Sequence, residues 1–254
     1  MPNHDSPALT LAEDRHWWFA SRTRALQALL DAVLSNHNLV WLDIGCGAGN
    51  MFHHLSRYGS VQGVEIDARP VAVARQRGYQ VEQGDASRGL TYPDRSFDVV
   101  SALDVIEHNH DDRAILREAY RVLKPGGHLV VTVPAFMWLW SQNDEINAHV
   151  RRYTAHELRA RLQEEGFIVQ RLTYNNFFVL PLAATAIWLR RHGRRAPQLA
   201  SHHIQQEAYQ VEMEPANPIV NTLLTGVGRL EAFLLRRVNL PVGTSLIAIA
   251  QKQE

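Results

Sequence analysis

One stretch constrains this chain more than any other: Leu42-Asp43-Ile44-Gly45-Cys46-Gly47-Ala48-Gly49-Asn50. It continues an apolar run, Leu39-Val40-Trp41-Leu42, of the kind that forms a strand buried on both faces. It leads into Met51-Phe52-His53-His54-Leu55, which can start a helix. Strand, glycine loop and helix in that order let an open α/β sheet hold a nucleotide-like ligand at the carboxyl end of its first strand. The glycines permit positive φ and let the backbone approach that ligand closely.

Four more pieces follow in the order such a sheet requires. Val61 to Asp67 forms a second strand that ends in acids, about twenty residues after the loop, where a carboxylate can accept both ribose hydroxyls. Gln83-Gly84-Asp85-Ala86 comes next. Ser96 to Leu103 is a strand running into Asp104-Val105-Ile106-Glu107-His108. Arg121-Val122-Leu123-Lys124-Pro125-Gly126-Gly127 then ends a helix and turns into the apolar β-branched run His128 to Pro134.

Together these five motifs resemble the class I S-adenosylmethionine (SAM) methyltransferases over residues 39–134. The resemblance implies a Rossmann-like α/β fold: a seven-stranded, mostly parallel sheet with helices on both faces. It implies SAM as cofactor, converted to S-adenosylhomocysteine. Asp43, Gly45, Cys46 and Gly47 match the first motif, and Glu65 with Ile66 the ribose-binding strand end. Asp85 and Ala86 match the positions that meet adenine. Leu103, Asp104 and Val105 match the strand end beside the methionine part. A helix ahead of the first strand covers SAM in related enzymes, and an arginine there can pair with its carboxylate. Arg22 or Arg24 suits that part, and Arg24 is counted with the cofactor set. A nicotinamide dehydrogenase, the rival on the same fold, expects G-x-G-x-x-G. Here the third glycine comes one residue early and Asn50 stands in its place.

Composition narrows the partners. Lys and Arg number 26, as do Asp and Glu, so no global positive field recruits nucleic acid. Cys46 is the single cysteine, which excludes an intrachain disulfide and suits a reducing cytoplasm. A small filler in the glycine loop is the expected role for it. The polar start of the chain has no signal-peptide pattern, and no window reaches the roughly 20 apolar residues of a spanning helix.

Four regions are expected: a helical cap (1–38), the SAM-binding core (39–175), a helical insertion over the acceptor pocket (176–239) and a final core strand (240–254). In the cap, residues 10–34 form an amphipathic helix whose Thr10 and Glu13 make a capping box. Trp17, Trp18 and Phe19 cannot all face one core, so one ring is expected at the cleft, with Trp18 counted as substrate-binding. Thr154 and Glu157 form a second capping box, with Gly166 as the helix stop and Phe167 to Leu172 as the sixth strand. Ile219, Leu223, Val227, Leu230 and Leu234 make an apolar stripe on a helix from Pro218. The stretch 196–217 looks like a mobile loop.

Methyl transfer from a sulfonium demands alignment, water exclusion and, for a hydroxyl acceptor, removal of a proton. Alignment alone can supply about 7–11 kcal/mol. His108, after the fourth strand, and His149, in Asn147 to Tyr153, are the candidate bases, with Asp144 able to orient His149. The alternative for His108 is a structural or SAM-shaping role, and for the His149 loop a helix cap. Arg152 and Tyr153 are candidate acceptor-binding groups, and Glu107 is expected to face a helix or cap a turn. The histidine pairs are adjacent in sequence and expected to point apart, so no metal site is expected. A small-molecule acceptor methylated at oxygen follows from the resemblance. Aromatics in Phe136 to Trp140 and Tyr174 to Phe178 suggest a partly apolar pocket. Residues 177–195, apolar and then basic, are a candidate contact with anionic lipid at the inner membrane face, which would suit a hydrophobic or lipid-linked acceptor. The alternative is a lid helix packed on the domain or across a dimer, with its arginines solvated. The alternative to an enzyme is a SAM-binding sensor or assembly protein.

Overall fold

The computed structural model describes residues 12–193, 202–204, 211–213 and 217–253. Seven strands form one sheet: β1 (Leu39–Ile44), β2 (Gly59–Glu65), β3 (Gln80–Gln83), β4 (Phe97–Leu103), β5 (Leu123–Pro134), β6 (Phe167–Asn175) and β9 (Ser245–Lys252). Their order is β3-β2-β1-β4-β5-β9-β6. The pairs from β3 to β5 are parallel, whereas β9 lies antiparallel between β5 and β6. Helices cover both faces, as expected. The order reverses at β1, from which β2 and β4 run to either side. Ligands of open α/β sheets bind at the carboxyl ends of strands beside such a switch point.

The apolar runs of the sequence become the middle of this sheet. Trp41, Leu42, Val99, Val100, Leu129, Val130 and Val131 are buried, together with Ala248 and Ile249 of β9. Helices follow where caps and periodicity place them. These are α3 (Phe52–Leu55), α4 (Ala68–Gln76, capped by Asp67), α5 (Asp112–Val122, capped by Asp111) and α7 (Ala155–Glu164). The Thr154–Glu157 capping box is present, and Gly166 takes φ +90 just after the helix. The sixth strand runs three residues further than expected, to Asn175.

The amino-terminal helix is broken. α1 (Ala12–Arg15) ends at His16, whose Nδ1 accepts the Trp18 N–H at 3.2 Å and caps α2 (Trp17–Val33). Thr10 of the expected capping box lies outside the described residues. α2 is more than a cap: Leu26, Leu29 and Leu30 belong to the main core. The stretch 176–239 contains α8 (Leu180–Arg191) and α9 (Pro218–Leu235). Two three-residue strands, β7 (His202–Ile204) and β8 (Val211–Met213), pair antiparallel between them. They fall in the stretch expected as a loop, most of which lies outside the described residues.

The expected stripe of α9 is not its buried face. Ile219, Leu223 and Leu230 are exposed, while Gly228, Glu231, Ala232 and Leu235 are buried. The neighbour decides this. α9 packs on α2, and Gly228 is needed because any Cβ there would strike Ser21 of α2. Asn221 adds a clamp by accepting the Trp17 N–H and donating to the Arg15 carbonyl.

Candidate active site

The cofactor half is built from backbone. Gly45, Gly47 and Gly49 all have positive φ. A Cβ on Gly45 would lie 2.5 Å from Val105, so the loop and the end of β4 touch. At Gly47 no atom lies within 4 Å of where a Cβ would stand, which leaves an open cradle beside Glu65. Glu65 Oε2 accepts the Gly47 N–H at 2.9 Å and Oε1 the Asp67 N–H at 3.0 Å. Ile66, next along, exposes 63% of its surface and stands at the mouth.

Below the loop, Asp43 is buried and accepts from Ser101 Oγ at 2.5 Å, and Ser101 in turn accepts from Trp41 Nε1. Burial pushes the Asp43 carboxyl up to about 7. Cys46 is buried against Phe52, Val71, Ala74 and Val81. Burial, then the charges of Asp43 and Glu65, raise its thiol far above the usual range, so it is filler. Asp85 accepts from the Ser87 N–H and hydroxyl and pairs with Arg88, and Ala86 is buried beside it. Leu103 ends β4, and Asp104 follows with φ +57. A non-glycine residue held in that sparse region is common where a chain must present a group to a ligand. Asp104 accepts from Thr132 at 3.0 Å and pairs with Arg22.

A cavity of about 330 Å³ opens beyond Asp104. Trp18, Phe19 and Arg22 of α2 form one wall, and Glu107, His108, Asp144, His149 and Arg152 another. Arg22, not Arg24, is therefore the arginine at the cleft. Arg24 faces Arg229, and burial followed by that like charge lowers its pKa. Trp18 and Phe19 are the rings at the cleft, with the Arg22 guanidinium 5.4 and 5.5 Å from their centroids. Trp17 is buried instead.

His149 is gripped by Asp144. Its Nδ1 lies 2.9 Å from Asp144 Oδ1, which leaves Nε2 as the nitrogen on the cavity side. Asp144 is fully buried and also binds Arg152 Nε at 2.7 Å and Nη2 at 2.8 Å. Burial opposes ionisation of Asp144, but the hydrogen bonds from His149 and Arg152 outweigh it and hold the carboxyl well below its usual range. A charged Asp144 fixes the Nδ1–H tautomer of His149, the orientation a general base needs. His108 packs edge-on at 4.8 Å, and burial, then His149, lower its pKa.

Glu107 is the residue that local sequence misjudged. It neither caps a turn nor faces a helix with its carboxyl. It is fully buried at the cavity wall, and neither oxygen has a hydrogen-bond partner among the described residues. Burial, reinforced by Asp104, raises its pKa well above the ordinary value. Tyr153 corrects the opposite way. Its hydroxyl donates to buried Asp112 at 2.7 Å, inside a cluster with Arg151 and Arg161, and it does not line the cavity. The expected aromatics also lie elsewhere. Phe136 stacks on Tyr174, and Trp138 sits on the surface against α8.

A groove adjoins the cavity. Val179 at the start of α8 and Ala183, Ala186, Ile187 and Arg190 along it line the groove with Trp17, and it shares Trp18, Ser141, Asn143, Arg152 and Thr244 with the cavity. The expectation that the adjacent histidines point apart does not hold: the His53 and His54 rings are 3.8 Å apart, centroid to centroid. Among the described residues, Glu107 with His108 and His149, and Asp14 with His53 and His54, each bring ligand atoms within 4.8 Å.

Comparison with known proteins agrees with this architecture. The profile of the family described as "Methyltransferase domain" matches residues 16–172, more than half of the chain. The chain is 37% identical over 99 residues to 27-O-demethylrifamycin SV methyltransferase of Amycolatopsis mediterranei, covering 35% of this chain and 36% of that protein. It is 36% identical over 100 residues to ubiquinone biosynthesis O-methyltransferase of Pseudomonas aeruginosa, covering 36% of this chain and 42% of that one. These matches span under half of the relatives' own lengths. Among solved structures, the [4+2]-cyclase SpnF superposes with a TM-score of 0.58 at 21% identity, covering 98% of this chain and 85% of that one. Phosphoethanolamine N-methyltransferase 2 of Haemonchus contortus, solved with SAM, gives 0.56 at 18%, covering 91% and 52%. The chain belongs to the class I SAM-dependent methyltransferase family.

Proposed function

We propose that this chain transfers a methyl group from SAM to a hydroxyl of a small molecule that has a polar head and an apolar body. One observation carries the second half of this reading: the cavity, with Asp104, Glu107, His108, Asp144, His149 and Arg152 in its walls, shares five lining residues with the groove that Ala183, Ala186 and Ile187 of α8 line. The open cradle over Gly47 supports SAM as the donor, with Glu65 for the ribose, Asp85 and Ala86 for the adenine, and Arg22 for the carboxylate. When bound, SAM supplies an already electrophilic methyl on a sulfonium.

The chain's own groups then have distinct tasks. Trp18 and Phe19 exclude water, and Glu107 donates a hydrogen bond to a polar atom of the acceptor. His149 Nε2 would take the proton that the acceptor hydroxyl loses when SAM, once bound, supplies its methyl group. A base so placed contributes about 10²–10⁴-fold. Arg152 and Asp144 hold His149 in position. The helix Leu180–Arg191 lengthens the pocket. The names of the two relatives, a 27-O-demethylrifamycin SV methyltransferase and a ubiquinone biosynthesis O-methyltransferase, support oxygen as the acceptor atom.

The test is methyl transfer to a series of phenols with alkyl tails of increasing length. Rising kcat/KM along the series is expected, and a flat or falling trend would remove the groove from the reading. SAM binding without transfer to any hydroxyl would favour a non-methylating role instead. Exposed Leu182 and Trp188 of α8, beside Met137 and Trp138, support a lipid contact for 177–195. No described helix is long and apolar enough to cross a membrane. Sedimentation with phosphatidylglycerol vesicles, lost on Trp188→Ala, is the expected result.

A further inference from the structure

A second cluster lies outside the acceptor cavity, where α1 meets α3. His53 Nε2 is 3.0 Å from one oxygen of Asp14, and His54 Nε2 is 2.8 Å from the other. The two rings are 3.8 Å apart, centroid to centroid. Consecutive residues on a helix do not face each other, because their side chains leave about 100° apart. Rings at adjacent positions meet only if something holds both. Here they converge on one carboxylate carried by a different helix, thirty-nine and forty residues away in the chain.

We propose that Asp14, His53 and His54 form a binding site for a zinc-type divalent cation that fastens the amino-terminal helix to the helix after the glycine loop. Two imidazole nitrogens and a carboxylate oxygen are a donor set that such cations favour. Donor atoms about 2.0–2.1 Å from a tetrahedral metal lie about 3.3 Å from one another. The Nε2 atoms of His53 and His54 lie 3.0 and 2.8 Å from different oxygens of Asp14, and one ligand atom from each residue lies within 4.8 Å of the others, so modest side-chain rotations would close the three groups around a cation. Side-chain exposures of 15%, 21% and 22% for His53, His54 and Asp14 leave an entry path and room for water as a fourth ligand.

Binding involves no redox change. The hydrogen that each Nε2 donates to Asp14 moves to Nδ1, and Nε2 gives its lone pair to the cation. His53 Nδ1 is buried without a hydrogen-bond partner among the described residues, so the shift creates no new orphan there. The cation would cross-link α1 to α3 at the edge of the cofactor cradle. The acceptor-side group differs in that its carboxylate, Glu107, is fully buried, whereas Asp14 is part-exposed.

The test is titration of untagged, full-length protein with Co²⁺ and then Zn²⁺, without SAM. One equivalent of Co²⁺ should give the visible absorption of a tetrahedral site, and Zn²⁺ should abolish it. Saturating Zn²⁺ should raise Tm by several degrees. Both signals should vanish in His54→Gln and Asp14→Asn, with folding checked by circular dichroism, and survive in Glu107→Gln. Absence of both signals in the unsubstituted protein would overturn the proposal. So would their survival in both cluster variants, or their loss in Glu107→Gln alone, which would move the cation to the acceptor side.

Discussion

The two halves of the cleft are built from different materials. The cofactor half is made of backbone: three glycines with positive φ, strand ends and their amides, with Glu65 bridging two of them. The acceptor half is made of side chains brought together from α2, the end of β4, the loop after β5 and α8. A backbone site depends on a few contiguous residues with special conformations. A side-chain site depends on which helix packs where, and tolerates many sequences.

This contrast can be broken at Asp144 first. Asp144→Ala would leave the buried Arg152 guanidinium without its carboxylate, costing about 3–5 kcal/mol of stability. Urea unfolding measures it, and a loss below about 1 kcal/mol would show that the clamp is dispensable. Next, His149→Ala should lower kcat by about 10²–10⁴-fold. Affinity for SAM should stay within about twofold of its original value by calorimetry, because His149 lies in the other half. A parallel loss of SAM binding would merge the two halves. In the cofactor half, Asp85→Ala should weaken SAM by roughly 1–3 kcal/mol. Unchanged affinity there would put adenine elsewhere.

Tyr153→Phe sharpens the boundary with the smallest effect. It removes one buried hydrogen bond to Asp112, which keeps Arg151 and Arg161. A stability loss of about 0.5–1.5 kcal/mol with unchanged KM is expected, and a raised KM would return Tyr153 to the acceptor site.

The sheet was legible because its strands are apolar runs with caps and turns at their ends. Thr154, Glu157 and Gly166 shape one helix using residues within a dozen positions of each other. Arg22 and Arg24 show where legibility stops. They sit two residues apart on α2, and one faces Asp104 while the other faces Arg229. Helical phase separates them, and nothing local says which phase points at the cleft. The α9 stripe failed for a related reason. Its apolar residues give a periodicity, but the partner helix chose a face with Gly228 and Ala232, where small residues let two backbones approach.

The sequence by itself determined the strand-loop-helix framework and the cofactor cradle, since glycine φ and strand burial are properties of consecutive residues. It also placed His149 and Asp144 five positions apart, close enough to meet. Only the tertiary structure decided that the Glu107 carboxyl would be buried without a hydrogen-bond partner among the described residues and that Tyr153 would turn inward. It also decided that two adjacent histidines would converge on Asp14. Those outcomes depend on desolvation and on contacts across tens of residues, and no local pattern encodes either.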